Sequence, residues 1–321
     1  MFDKKFFSSF LYKKTKLIKL SIFFVFNLLL LTACVNKNTY KSNHNKPLVL
    51  TTFTILEDLA ENVSGERLEV KSITKPGAEI HSYQFTPSDI VNTKGAQLII
   101  ENGLGLESWI SKFTISAGNI PRVKLTEGLK PLLIDGDVYA GKPNPHAWMS
   151  PERAIHYVDK IVAAFIEIDP EGENEYRTNA SAYKSKLKAL DKELRDSLSS
   201  IPENRRFLVT CEGAFSYLAR DYGMKEGYLW PVNAESQVTP RRMVDLIELI
   251  KENEVPTIFC ESTVSAKAQK EVAKASNAVF GGTFYVDSLS ETGGPASTYI
   301  DLLRHNVRLI TEGLIPKPNK K

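Results

Sequence analysis

The chain has 321 residues, of which 42% are hydrophobic and 25% charged, a composition typical of a soluble globular protein of about two domains. Its formal net charge of +3 is unevenly distributed, because residues 1–33 contribute +5 and leave the remainder at −2. The remainder shows no basic stripe with interleaved aromatic residues, so the composition argues against a nucleic-acid partner.

The amino-terminal segment has the pattern of a bacterial lipoprotein signal peptide. A lysine-rich stretch precedes the apolar run 20–31, which is shorter than the roughly 20 apolar residues that a membrane-spanning helix needs. The run ends in Leu-Thr-Ala-Cys, which resembles a lipobox. We predict a signal peptide over 1–33, lipidation of Cys34 and a flexible tether over 34–46, which together place the protein in the periplasm, anchored to a bacterial membrane. The alternative is a cysteine that follows an apolar run by chance.

Beyond the tether, short β-type runs alternate with helix-forming segments, a pattern typical of parallel sheets covered by helices. In the first half we predict strands at 48–54, 68–73, 97–101 and 123–125, and helices at 55–64, 87–94 and 105–117. In the second half we predict strands at 206–210, 227–230, 257–260 and 278–286, and helices at 213–222, 240–253, 265–275 and 296–313.

Three helix starts carry a hydroxyl residue followed by proline, a combination that favours an N-cap and a first helical turn. The pairs are Thr86-Pro87, Ser150-Pro151 and Thr239-Pro240. We predict that a helix starts at each pair, with the hydroxyl residue at the cap position and the proline in the first turn.

Residues 171–198 are rich in Lys, Glu, Ala and Leu, with no internal proline and no glycine after Gly172. They predict one long, mostly exposed helix that joins two α/β lobes rigidly. Each lobe is expected to hold a mostly parallel sheet flanked by helices. The predicted units are an N-terminal lobe over 47–169, a connecting helix over 170–201 and a C-terminal lobe over 202–321. The alternative is a surface helix within one domain.

Two of the five histidines lie in distinctive loops that follow β-type runs and precede a capped helix: His81 and His146. In open α/β sheets, ligands bind beyond the carboxyl ends of the strands. His44 falls in the tether, and His156 and His305 fall in predicted helices, so these three receive no metal role. A loop histidine is more often structural than a ligand, so the residues alone leave the role of the first two open.

Cys211 and Cys260 are the cysteines that remain after Cys34, and each follows a β-rich run. Outside the cytoplasm such a pair persists as a disulfide. If the two strands are parallel neighbours, their ends bring the sulfurs together. We therefore predict a Cys211–Cys260 bridge that stabilises the fold by roughly 4 kcal/mol. The alternative is two buried free thiols.

The loops of His81 and His146 resemble the first two ligand loops of the cluster A-I zinc and manganese receptors of ABC transporters. The resemblance extends over 47–316 and includes the connecting helix. Its motifs are Asn-Pro-His-Ala-Trp at 144–148, the run from Gly-Ala-Phe at 213 to Gly223, Ala-Glu-Ser at 234–236 with Thr-Pro at 239–240, and Tyr-Val-Asp-Ser-Leu at 285–289. It implies a monomeric receptor, not an enzyme, that holds a divalent metal in the cleft between its lobes and delivers it to a membrane permease.

The resemblance places the four ligands at His81, His146, Glu212 and Asp287, two from each lobe. Many zinc-handling members have histidine where Glu212 stands, and Cys-Glu-Gly-Ala-Phe at 211–215 is most similar to the cyanobacterial MntC type of manganese receptor. Manganese(II) favours oxygen ligands more than zinc does, so Mn²⁺ is the expected cargo. Zinc outranks manganese in intrinsic affinity, so Zn²⁺ is expected to bind tightly in vitro as well.

Other readings remain open at this point. The same kind of receptor could carry zinc or iron. Two histidines and two carboxylates could also activate water in a metalloenzyme, although no general-base motif such as His-Glu-x-x-His occurs. A surface adhesin is a third possibility, but no residue specifies a host ligand. Glu235 and Glu261 are carboxylates in notable loops. For Glu235, tuning of the site, helix capping and surface solvation are all open roles.

Overall fold

The computed structural model describes residues 46–135, 139–232 and 238–316. The predicted signal peptide, Cys34, the tether up to residue 45 and Glu235 lie outside the described residues. Among the residues that are described, no helix has the length and apolar character needed to cross a bilayer.

The first half of the fold is a parallel sheet with helices packed on it. Its elements are β1 (Leu48–Thr51), α1 (Thr54–Ser64), β2 (Glu69–Ser72), α2 (Pro87–Val91), β3 (Ala96–Glu101), α3 (Ile110–Ala117), β4 (Arg122–Lys124) and α4 (Pro151–Ile168). The strand order is β2-β1-β3-β4, and each neighbouring pair is parallel. This half therefore confirms the predicted parallel α/β architecture.

A long helix, α5 (Glu173–Ser199), follows a short 3-10 turn and leads into the second half. Most of its residues are exposed, as predicted. Every third or fourth residue is buried, however, and forms an apolar stripe that packs against α1 and α4: Tyr176, Ala180, Tyr183, Leu187, Leu190, Leu194 and Leu198. The helix is thus held along its length by the fold.

The second half is also parallel, but its sheet is interrupted. Its elements are β5 (Phe207–Glu212), α6 (Ser216–Asp221), β6 (Lys225–Trp230), α7 (Pro240–Glu252), β7 (Thr257–Glu261), α8 (Lys267–Ser276), β8 (Val279–Phe284) and α9 (Tyr299–Leu314). β5 pairs with β6, and β7 pairs with β8. Within the described ranges, no backbone ladder joins β5 to β7.

Hydrophobic side chains from both halves and from α5 share one cluster, which includes Phe53, Trp148, Leu187, Phe215 and Tyr299. The connecting helix is part of this shared core. The division into lobes at residues 170 and 201 therefore stays a prediction about boundaries, within a fold whose two-lobed α/β class is confirmed by its structural relatives.

All three predicted helix starts are present, each with its hydroxyl residue at the N-cap position. The Thr86 side chain accepts a hydrogen bond from the backbone N–H of Asp89 in a capping box, and the Thr239 hydroxyl accepts from the backbone of Arg242. Ser150 is the N-cap residue of α4, as predicted, but its hydrogen bonding differs. Its hydroxyl accepts from the Arg153 guanidinium at 3.1 Å and forms no cap hydrogen bond.

The helix predicted over 105–117 starts late, at Ile110. The cause is Glu107, whose buried carboxylate accepts hydrogen bonds from the backbone N–H groups of Asn102 and Gly103 and from the Thr52 hydroxyl. These bonds fold the preceding segment into a turn that the helical pattern did not reveal.

Asp58 lies on α1 where this helix meets α5 and α9. Its carboxylate accepts hydrogen bonds from the Tyr299 backbone at 3.2 Å and the Tyr183 hydroxyl at 3.3 Å. Burial raises the pKa of Asp58 to about 6, although both hydrogen bonds oppose the shift. The ionised carboxylate therefore destabilises the folded state at neutral pH.

Asp58→Asn is expected to be more stable than the parent at pH 7.5 by about 1–3 kcal/mol, because the amide keeps an acceptor oxygen without a charge. A raised folded pKa means that the cost of ionisation is absent below pH 4 and complete above pH 6. The gain from the substitution should therefore disappear as the pH falls through this window. Urea denaturation of both proteins between pH 4 and 8 measures it. Asp245→Asn, the same change at an exposed residue, is the control. A stability difference between Asp58→Asn and the parent that does not vary with pH would contradict the prediction.

Candidate metal centre

Four side chains from separate parts of the chain converge in the interior. His81 lies in the loop between β2 and α2, and His146 immediately precedes the 3-10 turn Ala147–Met149. Glu212 is the last residue of β5, and Asp287 lies three residues beyond β8. The carboxylates thus occupy carboxyl ends of strands.

The predicted position of His146 at the end of a strand is wrong. β4 ends at Lys124, and the intervening chain is a long loop with one isolated antiparallel bridge, between Leu133 and Pro143. His146 is positioned by this loop and by the start of α4.

Each of the four residues points one potential ligand atom at the others, and these atoms all lie within 4.8 Å of one another. Glu212 Oε1 is 3.5 Å from Nε2 of His81 and of His146. The two carboxylate oxygens of Asp287 each lie 3.6 Å from one imidazole Nε2. None of the four residues is more than 2% exposed.

Three of these atoms have no hydrogen-bond partner among the described residues: Nε2 of His81, Nε2 of His146 and Oδ1 of Asp287. Buried polar atoms that lack partners cost about 1–3 kcal/mol each. A divalent cation at the centre would satisfy all of them and would be neutralised by the two carboxylates. The donor set offers two imidazole nitrogens and up to four carboxylate oxygens, so it fits an ion with more than four ligands.

The electric field of the pocket favours positive charge. Burial opposes protonation of His81, but the carboxylates of Glu212 and Asp287 outweigh it and raise the pKa of His81 to about 9. Burial lowers the pKa of His146 well below its usual value, and the charge of His81 adds to this effect. The metal-free pocket therefore attracts a cation, which is what a metal receptor requires.

The His81 loop is fixed by hydrogen bonds to its backbone. Trp109 Nε1 donates to the carbonyl of Ile80 and the Ser108 hydroxyl donates to the carbonyl of His81, each at 2.7 Å. The Glu79 carboxylate accepts from the N–H of His81 at 2.7 Å. Glu79 and the two residues that directly precede α3 thus hold the backbone that carries the His81 imidazole.

His146 is held by Asn144, a residue whose role was not predicted from the sequence. Asn144 Oδ1 accepts from the backbone N–H of His146 at 3.0 Å and lies 2.9 Å from its Nδ1. The other end of this amide donates to the carbonyl of Gly213 at 2.7 Å. The feature of the sequence that could have indicated this role is the amide residue two positions before the histidine, in the Asn-Pro-His motif.

Glu212 ends β5 against a tight turn. A Cβ at Gly213 would lie 2.5 Å from the carbonyl oxygen of Pro231, so the turn requires glycine. The backbone N–H of Glu212 donates to Glu261 Oε2 at 3.3 Å. Burial and the negative charge of Glu212 raise the pKa of Glu261 well above its usual value. Glu261 is thus a buried neighbour of the site, and it is the last residue of β7 rather than a loop residue as predicted.

A disulfide links Cys211 and Cys260, with their Cα atoms 4.9 Å apart. It joins β5 to β7 directly before Glu212 and Glu261. Both cysteines are fully buried. The structure therefore contains the bridge, and the alternative of two free thiols is set aside.

The remaining described histidines lie outside the cluster. His156 Nε2 is 3.0 Å from the carbonyl oxygen of Glu127, and His305 Nε2 is 3.0 Å from that of Thr283. Both side chains bond to backbone on the surface.

Comparison with known proteins agrees with this geometry. The family described as ZnuA, zinc-uptake complex component A, periplasmic, matches residues 49–313. The iron-binding protein YfeA of Yersinia pestis is 49% identical over 90% of this chain and 93% of its own length. The manganese ABC transporter substrate-binding lipoprotein PsaA of Streptococcus pneumoniae is 33% identical over 93% of this chain and 99% of its own.

Among solved structures, the Mn-bound periplasmic metal binding protein of Candidatus Liberibacter asiaticus superimposes with a TM-score of 0.77 at 36% identity. The match covers 84% of this chain and all of that one. The fold, the buried cluster of two histidines and two carboxylates, and the sequence similarity therefore agree. The chain belongs to the ZnuA family of periplasmic metal-binding receptors, the substrate-binding proteins of metal ABC transporters.

Proposed function

We propose that this receptor captures Mn²⁺ through His81, His146, Glu212 and Asp287 and delivers it to the permease of an ABC importer. The observation that carries the proposal is the buried set of two imidazoles and two carboxylates, whose potential ligand atoms all lie within 4.8 Å of one another. Three of these atoms, Nε2 of His81, Nε2 of His146 and Oδ1 of Asp287, have no hydrogen-bond partner among the described residues. Carboxylate oxygens suit manganese better than they suit zinc, which prefers four nitrogen or sulfur ligands.

Iron(II) is the second candidate cargo. The 49% identical relative is named an iron-binding protein, and a set of nitrogen and oxygen donors also suits Fe²⁺. Zinc is the third, since the family description names zinc uptake. The three ions share the site, so the cargo must be decided by relative affinity and by what the native protein carries.

The proposal includes the cell biology predicted from the amino terminus. Relatives such as PsaA are named lipoproteins, which supports lipidation at Cys34 and anchoring in the periplasm. We propose that the receptor acts as a monomer on the permease. Because the family consists of solute-binding receptors, the metalloenzyme reading has no support, and no described residue favours an adhesin.

Metal release requires the carboxylates to move away from the imidazoles. Hydrogen bonds cross between the two halves: the backbone of Gly77 donates to the Ser288 hydroxyl at 2.7 Å, and Trp148 Nε1 donates to the carbonyl of Val286 at 2.8 Å. These bonds and the anchored α5 favour a modest tilt with loop rearrangement. This motion would be contradicted if the segments that carry the two imidazoles and the two carboxylates showed the same hydrogen-exchange rates with and without metal.

The cargo is tested by metal analysis of the protein purified from its native membrane, together with Glu212→His. We expect manganese in the native protein. We also expect the ratio of Mn²⁺ to Zn²⁺ affinity to fall at least about tenfold in the variant, because a nitrogen ligand replaces oxygen. His305→Gln, a change outside the cluster, is the control. Native protein loaded with iron or zinc, and an unchanged affinity ratio, would overturn the assignment of manganese.

A further inference from the structure

The side chain of Asn144 uses its full hydrogen-bonding capacity in the interior. Oδ1 receives the backbone N–H of His146 and faces the Nδ1 of the same residue, at 3.0 and 2.9 Å. Nδ2 donates to the carbonyl of Gly213 at 2.7 Å and to the Ser216 hydroxyl at 3.2 Å. An amide has two donors and two acceptor sites, and all four are engaged here.

This arrangement fixes which way the amide points. The Gly213 carbonyl only accepts hydrogen bonds, so the Nδ2 end must face it. The backbone N–H of His146 only donates, so the Oδ1 end must face that residue. The flip of the amide is therefore decided by two backbone groups, independently of the imidazole.

The orientation in turn determines the tautomer of His146. An oxygen that only accepts lies 2.9 Å from Nδ1, so the neutral ring carries its proton on Nδ1. Nε2 is then left with its lone pair, 3.5 Å from Glu212 Oε1 and 3.6 Å from Asp287 Oδ1. The nitrogen that faces the cluster is thus ready to bind metal before any metal arrives.

The same amide connects the two halves of the protein. His146 belongs to the loop before α4, whereas Gly213 follows Glu212 directly and Ser216 begins α6. The backbone of Asn144 strengthens the connection, because its carbonyl accepts the Tyr217 hydroxyl at 2.7 Å. Separation of the His146 loop from the Glu212 turn must break these bonds together.

We propose that Asn144 is a positioning residue that presets the Nε2 lone pair of His146 and ties it to the Glu212 turn. The Asn144 amide thereby fixes the position of the His146 imidazole in one half relative to the Glu212 carboxylate in the other half. The proposal rests on the proposed function of the cluster as the metal site. Its effect is to keep the two ligands aligned in the metal-free receptor and to slow the departure of the ion.

The test compares the parent with Asn144→Ala and Asn144→Asp. Alanine removes both ends of the connection. Aspartate restores an acceptor for Nδ1 but cannot donate to Gly213. Nitrogen NMR of the metal-free proteins should show the Nδ1–H tautomer of His146 in the parent and in the aspartate variant, and a tautomer mixture in the alanine variant.

Two further measurements test the connection that Asn144 makes between His146 and the Glu212 turn. Hydrogen exchange at residues 213–216 should be faster in both variants, and Mn²⁺ should leave the alanine variant about 10–100-fold faster than the parent when a chelator is added. Asn179→Ala is the matched control, since Asn179 Nδ2 bonds the carbonyl of Val63 away from the site at 3.1 Å. Circular dichroism verifies the fold of each variant.

Retention of the parent tautomer in Asn144→Ala would overturn the presetting role. The proposed connection between Asn144 and the Glu212 turn would be overturned by either of two results. One is hydrogen exchange at residues 213–216 that is as slow in both variants as in the parent. The other is an Mn²⁺ dissociation rate in the alanine variant that equals that of the parent. The NMR measurement uses metal-free protein. If the parent does not bind Mn²⁺ at all, the proposed function fails, while the tautomer result still decides the positioning role of Asn144.

Discussion

Glu212→Gln is expected to weaken Mn²⁺ binding roughly 100- to 5,000-fold, equivalent to about 3–5 kcal/mol. The substitution keeps the volume of the side chain and removes one negative charge. Glu212 is 2% exposed, and Asp287 is the other carboxylate of the cluster. A dication held by one carboxylate would keep an uncompensated positive charge in the interior, which is why the loss exceeds that of a surface ion pair.

The measurement is a competition titration of metal-free protein with Mn²⁺ against a calibrated chelator. Glu291→Gln is the matched control, because it removes the same charge from an exposed residue that follows Asp287 in the chain. The control should bind within about threefold of the parent, as expected for a solvated charge. If Glu212→Gln also stays within threefold, Glu212 does not bind the ion.

Much of the fold is readable from local sequence because it depends on local forces. Strand and helix alternation predicted a parallel α/β fold, and the caps at Thr86 and Thr239 follow from short-range hydrogen bonds. Ser150 differs because a side chain one turn along, Arg153, competes for its hydroxyl. The late start of α3 has a similar origin in Glu107, whose partners precede it in the chain.

The site is harder to predict because its residues meet only after folding. No periodicity brings His81 to Asp287, and family resemblance was needed to connect the four loops. The role of Asn144 was not predicted either, since its partner at Gly213 belongs to the other half. The interrupted second sheet is likewise a result of long-range pairing. Strand propensity locates β5 and β7 but does not determine whether a ladder forms between them.

The disulfide connects β5 and β7, the two strands between which the described residues form no backbone ladder. It joins the last-but-one residues of β5 and β7 within a core that also includes Val209, Trp230 and Ile258. Beyond it, the bond from the Glu212 backbone to Glu261 crosses the same gap at 3.3 Å. The bridge therefore supports both the stability of the second half and the position of Glu212.

Replacing both Cys211 and Cys260 by alanine is expected to reduce the free energy of unfolding by roughly 4 kcal/mol. The bridge closes a loop with a sequence separation of 49, and its loss returns that much chain entropy to the unfolded state. Alanine is chosen because serine would bury two hydroxyl groups in a fully enclosed site. Denaturant unfolding of the metal-free proteins measures the change.

Parent protein refolded in a dithiol reductant is the control, because it retains both sulfur atoms and loses only the covalent bond. Equal losses in the reduced parent and the alanine variant would assign the stabilisation to the cross-link, whereas a loss confined to the variant would assign it to the cavity. The folded variant should also bind Mn²⁺ up to about tenfold more weakly, since the ends of β5 and β7 become free to separate. An unchanged Mn²⁺ affinity would leave the bridge with a purely structural role, because the Glu212 turn would then be held sufficiently by Asn144 and Glu261 alone.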